Sequence, residues 1–232
     1  MSARVFVAVR PALHAVEDLV DFLEPRAGMP WTSPGQWHLT LGFAATMPEH
    51  RLDDLAERLT SLAASTDPFP LRLRGGGCFP DALAARVLWL GVVGGESDLP
   101  RLAEGSRNAL AVVGAPPDGR RFVPHLTLAR PRRAVSAARW LRVLDTYEGP
   151  WWDVEEIELV ESVLGQRAGN RALPDEGVGR PGASVRRSTS RSPGDGGSYA
   201  IHPKDLDVPD ATPPTGFGRP DLTAFAAHPN RL

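Results

Sequence analysis

Apolar and polar positions alternate along the chain with two periods, and the switches between them mark a series of short elements. Arg4 to Val9 (RVFVAV) is a β-branched apolar run that Pro11 ends, which predicts a strand. Leu13, Val16, Val20 and Leu23 then recur at helical spacing and give one apolar face. WHLTLGF is a second predicted strand, and Leu52, Leu55, Leu59 and Leu62 mark a second amphipathic helix. FPLRLR alternates as a strand, with Leu71 and Leu73 on one face and Arg72 and Arg74 on the other. Gly75 to Gly77 predict a loop before RVLWLGVV, a strand apolar enough to be central. Leu99, Leu102, Ala109 and Val113 predict a third helix ending near Gly114. RFVPHLTLAR reads as a strand, SAARWLRVLDTY as a helix and DVEEIELVESVL as a last strand.

Strands and helices thus mix over residues 1–164, in two halves of similar make-up. From Gly165 to Ser198 the large aliphatics are only Leu173, Val178 and Val185, and Gly, Pro, Ser and Arg dominate. Such a segment buries too little apolar area to offset its ordering entropy. The expected organisation is therefore one domain over 1–164 and a disordered or atypical tail over 165–232.

Composition narrows the function classes. The 232 residues carry a net charge of −2 with 42% hydrophobic residues, so any nucleic-acid contact must be a local patch and not a charged coat. One cysteine, Cys78, leaves neither a disulfide framework nor a thiolate cluster for zinc. No apolar run approaches the roughly 20 residues of a bilayer span, and Arg10 and Pro11 interrupt the apolar start. A cytoplasmic, soluble monomer is expected.

The most informative feature is a repeated tetrapeptide, HLTL, at His38–Leu41 and His125–Leu128. In a strand, His38 and Thr40 share one face and Leu39 and Leu41 the other, and the second copy repeats this. Histidine exchanges protons near neutral pH, and a threonine hydroxyl suits a non-bridging phosphate oxygen. Two copies facing each other would bracket a phosphate with an imidazole on either side. One takes a proton from water while the other gives one to the departing oxygen. The threonines would hold the oxygens on which charge accumulates. This chemistry requires no metal and no cofactor. A lone histidine on a half-buried strand is usually a packing residue; the duplication in one frame is what raises these two above that level.

Paired H-x-T-x motifs at this spacing resemble the two-histidine phosphoesterase superfamily. RVFVAVRP, WHLTLGF, Cys78-Phe79-Pro80 leading to RVLWLGV, RFVPHLTLAR and LVESVLG are similar to its RNA 2′,3′-cyclic phosphodiesterase branch, once described as 2′–5′ RNA ligases, over roughly residues 4–165. The resemblance implies a bilobal α+β fold: two pseudo-twofold-related lobes, each an antiparallel sheet with helices outside, around a cleft. It implies His38 as proton donor and His125 as proton acceptor, with Thr40 and Thr127 on the phosphate. Arg130 is a further phosphate contact by position, and Phe79 resembles an aromatic that stacks on a terminal base. The implied reaction opens RNA-terminal 2′,3′-cyclic phosphates to 2′-phosphomonoesters, and the same histidines would support 2′–5′ ligation in reverse. A small cyclic nucleotide, an ADP-ribose cyclic phosphate, or non-catalytic binding of RNA ends stay open as alternatives. Trp31, Trp37 and Trp89 are expected in the core. Arg120, Arg121, Arg130, Arg132 and Arg133 are either a solvated rim or an RNA-facing patch. After LVESVLG the family's closing Tyr-Glu-containing strand has no recognisable counterpart, which suggests a frame-shifted or replaced tail.

Overall fold

Up to residue 162 most strands read largely as a buried stripe on one side and a half-open stripe on the other. The computed structural model describes residues 2–163 and 184–191. In chain order it contains β1 (Ser2–Val9), α1 (Leu13–Leu23), β2 (Leu39–Pro48), α2 (Leu52–Ala64), β3 (Phe69–Phe79), β4 (Val87–Val93), α3 (Asp98–Val112), β5 (His125–Ala129), α4 (Ala138–Leu144), β6 (Trp152–Val154), β7 (Glu156–Val163) and β8 (Ser184–Arg191). The strands form one eight-stranded sheet in the order β6-β3-β4-β5-β2-β1-β7-β8. The two halves, β6-β3-β4-β5 and β2-β1-β7-β8, meet where β5 and β2 pair through Leu39 and Leu126. This is the expected α+β, two-lobed architecture, with the two HLTL strands at the join.

The helices cover the face of the sheet that carries the leucines. Leu39, Leu41, Leu126 and Leu128 are 0 to 1% exposed, each contributing about 2 kcal/mol of apolar burial. Gly42, directly after the first motif, lets α3 come close: a Cβ there would lie 2.9 Å from Leu110. Gly76 does the same for α4, since its Cβ would lie 2.7 Å from that of Leu144. Thr40, Thr127 and both histidines are half-buried and lie on the opposite, uncovered face.

Several elements depart from the sequence pattern. Gly75–Gly77 are not a loop but part of β3, which pairs with β4 through Gly76↔Leu90 and Gly77↔Trp89. The register shifts between Leu73 and Gly76, and Gly75 has φ +82°, so the glycines carry a bulge rather than a turn. DVEEIELVESVL is two strands broken at Glu155, since β6 pairs with β3 at one end of the sheet and β7 with β1 in the other half. The fourth helix spans only Ala138–Leu144. β2 begins at Leu39, so His38 precedes the strand instead of lying in it. Its ladder with β1 stops at Val9↔Leu39, just before Arg10 and Pro11, and proline has no N–H to extend it.

The tail also holds a strand. β8 runs parallel to β7, from Glu156↔Ser184 to Val163↔Arg191, within a stretch expected to be disordered. Strand addition draws on backbone hydrogen bonds and on β-prone Val and Thr, so it proceeds without the apolar side chains that composition measures. It also gives the second half of the sheet one parallel pair where only antiparallel pairs were expected. The rest of the tail, including the Gly169–Gly179 segment where a family strand was sought, lies outside the described residues. No helix among the described residues is long and apolar enough to cross a membrane.

Candidate active site

The two motifs are antiparallel neighbours. With Leu39 paired to Leu126, one residue in either direction sets His38 across from Thr127 and Thr40 across from His125. In register, each histidine position therefore faces the other copy's threonine. Leu39↔Leu126 is the single bridge between these two strands, so they part on either side of it.

Both rings are held alike. His38 Nδ1 lies 2.6 Å from the Gln36 carbonyl oxygen, and His125 Nδ1 lies 2.7 Å from that of Val123. A carbonyl only accepts, so Nδ1 carries the hydrogen in each ring and Nε2 is left for other work. Phe6 stacks on His38 with centroids 4.8 Å apart. Phe79 meets His125 edge-on at 5.1 Å, and Trp89 is tilted against it at 5.8 Å. Phe79, Trp89 and His125 thus form one aromatic wall, with Phe79 and Trp89 at 5.4 Å.

Trp89 corrects an expectation: it is half-buried at the site and not in the core. It pairs with Thr127 across β4 and β5, on the face opposite the fully buried Leu88 and Leu90. The indole lies over Gly77, where a Cβ would fall 2.0 Å from its ring. Alternation in RVLWLGVV carried that signal, since Trp89 and Gly91 lie out of phase with the leucines. Trp37, by contrast, is buried, and its Nε1 donates to Thr32 Oγ1 at 3.0 Å. Thr32 in turn donates to the carbonyls of Thr127 and Leu128 at 3.2 and 3.0 Å, tying the approach to His38 onto β5.

Charge around the site is cationic. Arg130 Nη2 lies 3.4 Å from Thr127 Oγ1. Its outer side is exposed, yet desolvation first and the charge of Arg4 second lower its pKa, and it stays protonated. Arg10, absent from the sequence-based set, donates from Nε to Glu158 at 2.5 Å and from Nη1 to the Gly35 carbonyl at 2.7 Å. Gly35 adjoins Gln36, whose carbonyl holds His38, so the buried Glu158 anchors Arg10 and, through Arg10, the turn beneath this ring. No local pattern marks that chain of contacts, which joins residues 148 apart.

The histidines are pushed towards neutrality. Burial lowers His38 to about 4, opposed by the Gln36 hydrogen bond and assisted by Arg10, Arg130 and His125. Burial also lowers His125, opposed by the Val123 hydrogen bond and assisted by Arg130. The site therefore offers two neutral imidazoles, two hydroxyls and the positive charge of Arg130, a combination suited to receiving an anion.

Comparison with known proteins agrees with this architecture. Residues 11–166 match the family model described as the 2′-5′ RNA ligase superfamily. The RNA 2′,3′-cyclic phosphodiesterase of Thermus thermophilus is 39% identical over 165 residues, covering 67% of this chain and 77% of the relative. That of Methanothermobacter thermautotrophicus is 30% identical over 175 residues, covering 71% and 92%. Among solved structures, TT0787 of Thermus thermophilus superposes with a TM-score of 0.53 at 31% identity, covering 67% of this chain and 86% of that one. E. coli LigT in its apo form shares the fold, with a TM-score of 0.56 at 22% identity, covering 72% and 91%. With a match over most of its sheet and both HLTL motifs, the chain belongs to the 2′-5′ RNA ligase superfamily.

Proposed function

We propose that this protein is a hydrolase that opens RNA-terminal 2′,3′-cyclic phosphates to 2′-phosphomonoesters, with His38 as general acid and His125 as general base. The observation that carries the reading is the crossed pairing of the motifs, which sets two Nδ1-tethered imidazoles beside two hydroxyls on one uncovered face. His125 Nε2 removes a proton from water as the water oxygen bonds to phosphorus. The bond from phosphorus to the 3′ oxygen breaks, and His38 Nε2 delivers a proton to that oxygen. Thr40, Thr127 and Arg130 hold the non-bridging oxygens as their charge grows. Phe79, beside His125, takes the terminal base. Acid and base are both supplied by the chain, so the proposed reaction needs no metal; a cytoplasmic monomer completes the proposal. The relatives named above, described as RNA 2′,3′-cyclic phosphodiesterases, support the choice of substrate.

The test is incubation of an oligoribonucleotide ending in a 2′,3′-cyclic phosphate with the protein in EDTA, beside His38→Ala and His125→Ala. A 2′-phosphate end from the unmodified protein alone is the expected result. Undiminished cleavage by either variant, or loss of activity in EDTA, would overturn the mechanism.

A further inference from the structure

Arg4 is a cation that the chemistry above leaves unused. Its neighbours Ala3 and Val5 are 5% and 0% exposed, so alternation along β1 turns Arg4 and Phe6 to the uncovered face. That face belongs to the site: Phe6 stacks on His38 and pairs across the strands with Phe43. The Arg4 guanidinium carbon lies 4.8 Å from the centre of the Phe43 ring, within cation–π range. Among the described residues Arg4 has no ion pair, and its Nε is buried without a hydrogen-bond partner. Its charge is also felt at Arg130. An orphaned buried donor costs free energy until an anion joins it.

We propose that Arg4, set over Phe43 on the same face as Phe6, binds a second phosphate of the substrate, the phosphodiester on the 5′ side of the terminal nucleotide. This rests on the reading that a cyclic phosphate reacts between His38 and His125. The reacting phosphate is already served by the two histidines, the two threonines and Arg130. Arg4 lies two residues from Phe6, about 7 Å along the strand at the backbone, so its charge stands to one side of the His38 ring that Phe6 stacks on. A guanidinium presents its donors as a planar fork, which suits a phosphodiester's paired oxygens. Arg4 thereby makes the enzyme favour RNA chains over cyclic mononucleotides, which have no such group.

The experiment compares kcat/KM for a cyclic mononucleotide and for a dinucleotide with a 2′,3′-cyclic phosphate end, using the unmodified protein, Arg4→Gln and Arg4→Lys. The ratio of dinucleotide to mononucleotide efficiency should fall about tenfold or more in Arg4→Gln, the loss of one charged hydrogen-bonded contact, and less in Arg4→Lys. The salt dependence for the dinucleotide should weaken by about 0.7 in logarithmic slope. Equal proportional losses on both substrates would place Arg4 on the reacting phosphate or in the fold and overturn the proposal, as would an unaltered ratio. If the unmodified protein hydrolyses neither substrate, the hydrolase reading fails, and binding decides the matter of Arg4. Affinities for mono- and dinucleotides ending in a 2′-phosphate should then still differ by less in Arg4→Gln than in the unmodified protein.

Discussion

Binding of a phosphate should draw a proton onto His38. Burial lowers this group to about 4, so at pH 7 its neutral form prevails by about a thousandfold. A general acid must hold its proton near pH 7, which requires an upward shift of about three units on binding, or about 4 kcal/mol. An anionic oxygen about 4 Å from an imidazolium, at an effective dielectric of about 20, supplies about 4 kcal/mol. One contact is therefore of the right size to recharge the ring. The assay is calorimetric titration with a 2′-nucleotide at pH 7 in two buffers of different ionisation enthalpy. The slope of observed heat against buffer enthalpy should be close to one proton taken up, and His38→Gln should remove most of it. Tight binding with no proton uptake would refute the reasoning. Uptake that survives in His38→Gln but vanishes in His125→Gln would show that the roles of donor and acceptor are reversed.

The same depressed groups make the fold acid-sensitive. Both histidines titrate lower folded than unfolded; the His38 contribution is complete above about 6.5 and is lost as pH falls towards 4, about 3 kcal/mol, and His125 acts in the same direction. Tm should drop across that window and drop less in His38→Gln; a Tm unchanged between pH 7.5 and 5 would contradict it. Gly77→Ala puts a methyl 2.0 Å from the Trp89 ring, so the aromatic wall beside His125 must move, at a cost of about 1–3 kcal/mol, with kcat/KM and Tm falling together. A variant with normal activity and normal Tm would show that the wall yields freely. Arg10→Gln removes a cation that disfavours the His38 imidazolium, so NMR titration should find the His38 pKa raised, and an unchanged value would remove Arg10 from the electrostatics of the site.

Local pattern determined more of this protein than its modest charge and composition suggest. The alternation within HLTL separates His and Thr from Leu wherever the strand lies, because successive side chains point to opposite faces. The repeat therefore pointed to the proposed reacting groups and to two copies of one structural unit without reference to partners. The helical periods near Leu13, Leu52 and Leu99 were legible for the same reason, since each follows from one turn of chain.

What depended on distant pairing was not legible. Only the Leu39↔Leu126 register sets each histidine beside the other motif's threonine. Gly75–Gly77 join a strand because Trp89, on another strand, needs the space above Gly77. Arg10 matters through Glu158, and Arg4 through Phe43 and Arg130, partners far from them in the chain. β8 exists because β7 offers it an edge. Local sequence determines which face a side chain takes, since that depends on neighbouring dihedral angles. Which residues meet across the sheet is decided by burial and hydrogen bonding summed over the whole fold, and no short segment carries that sum.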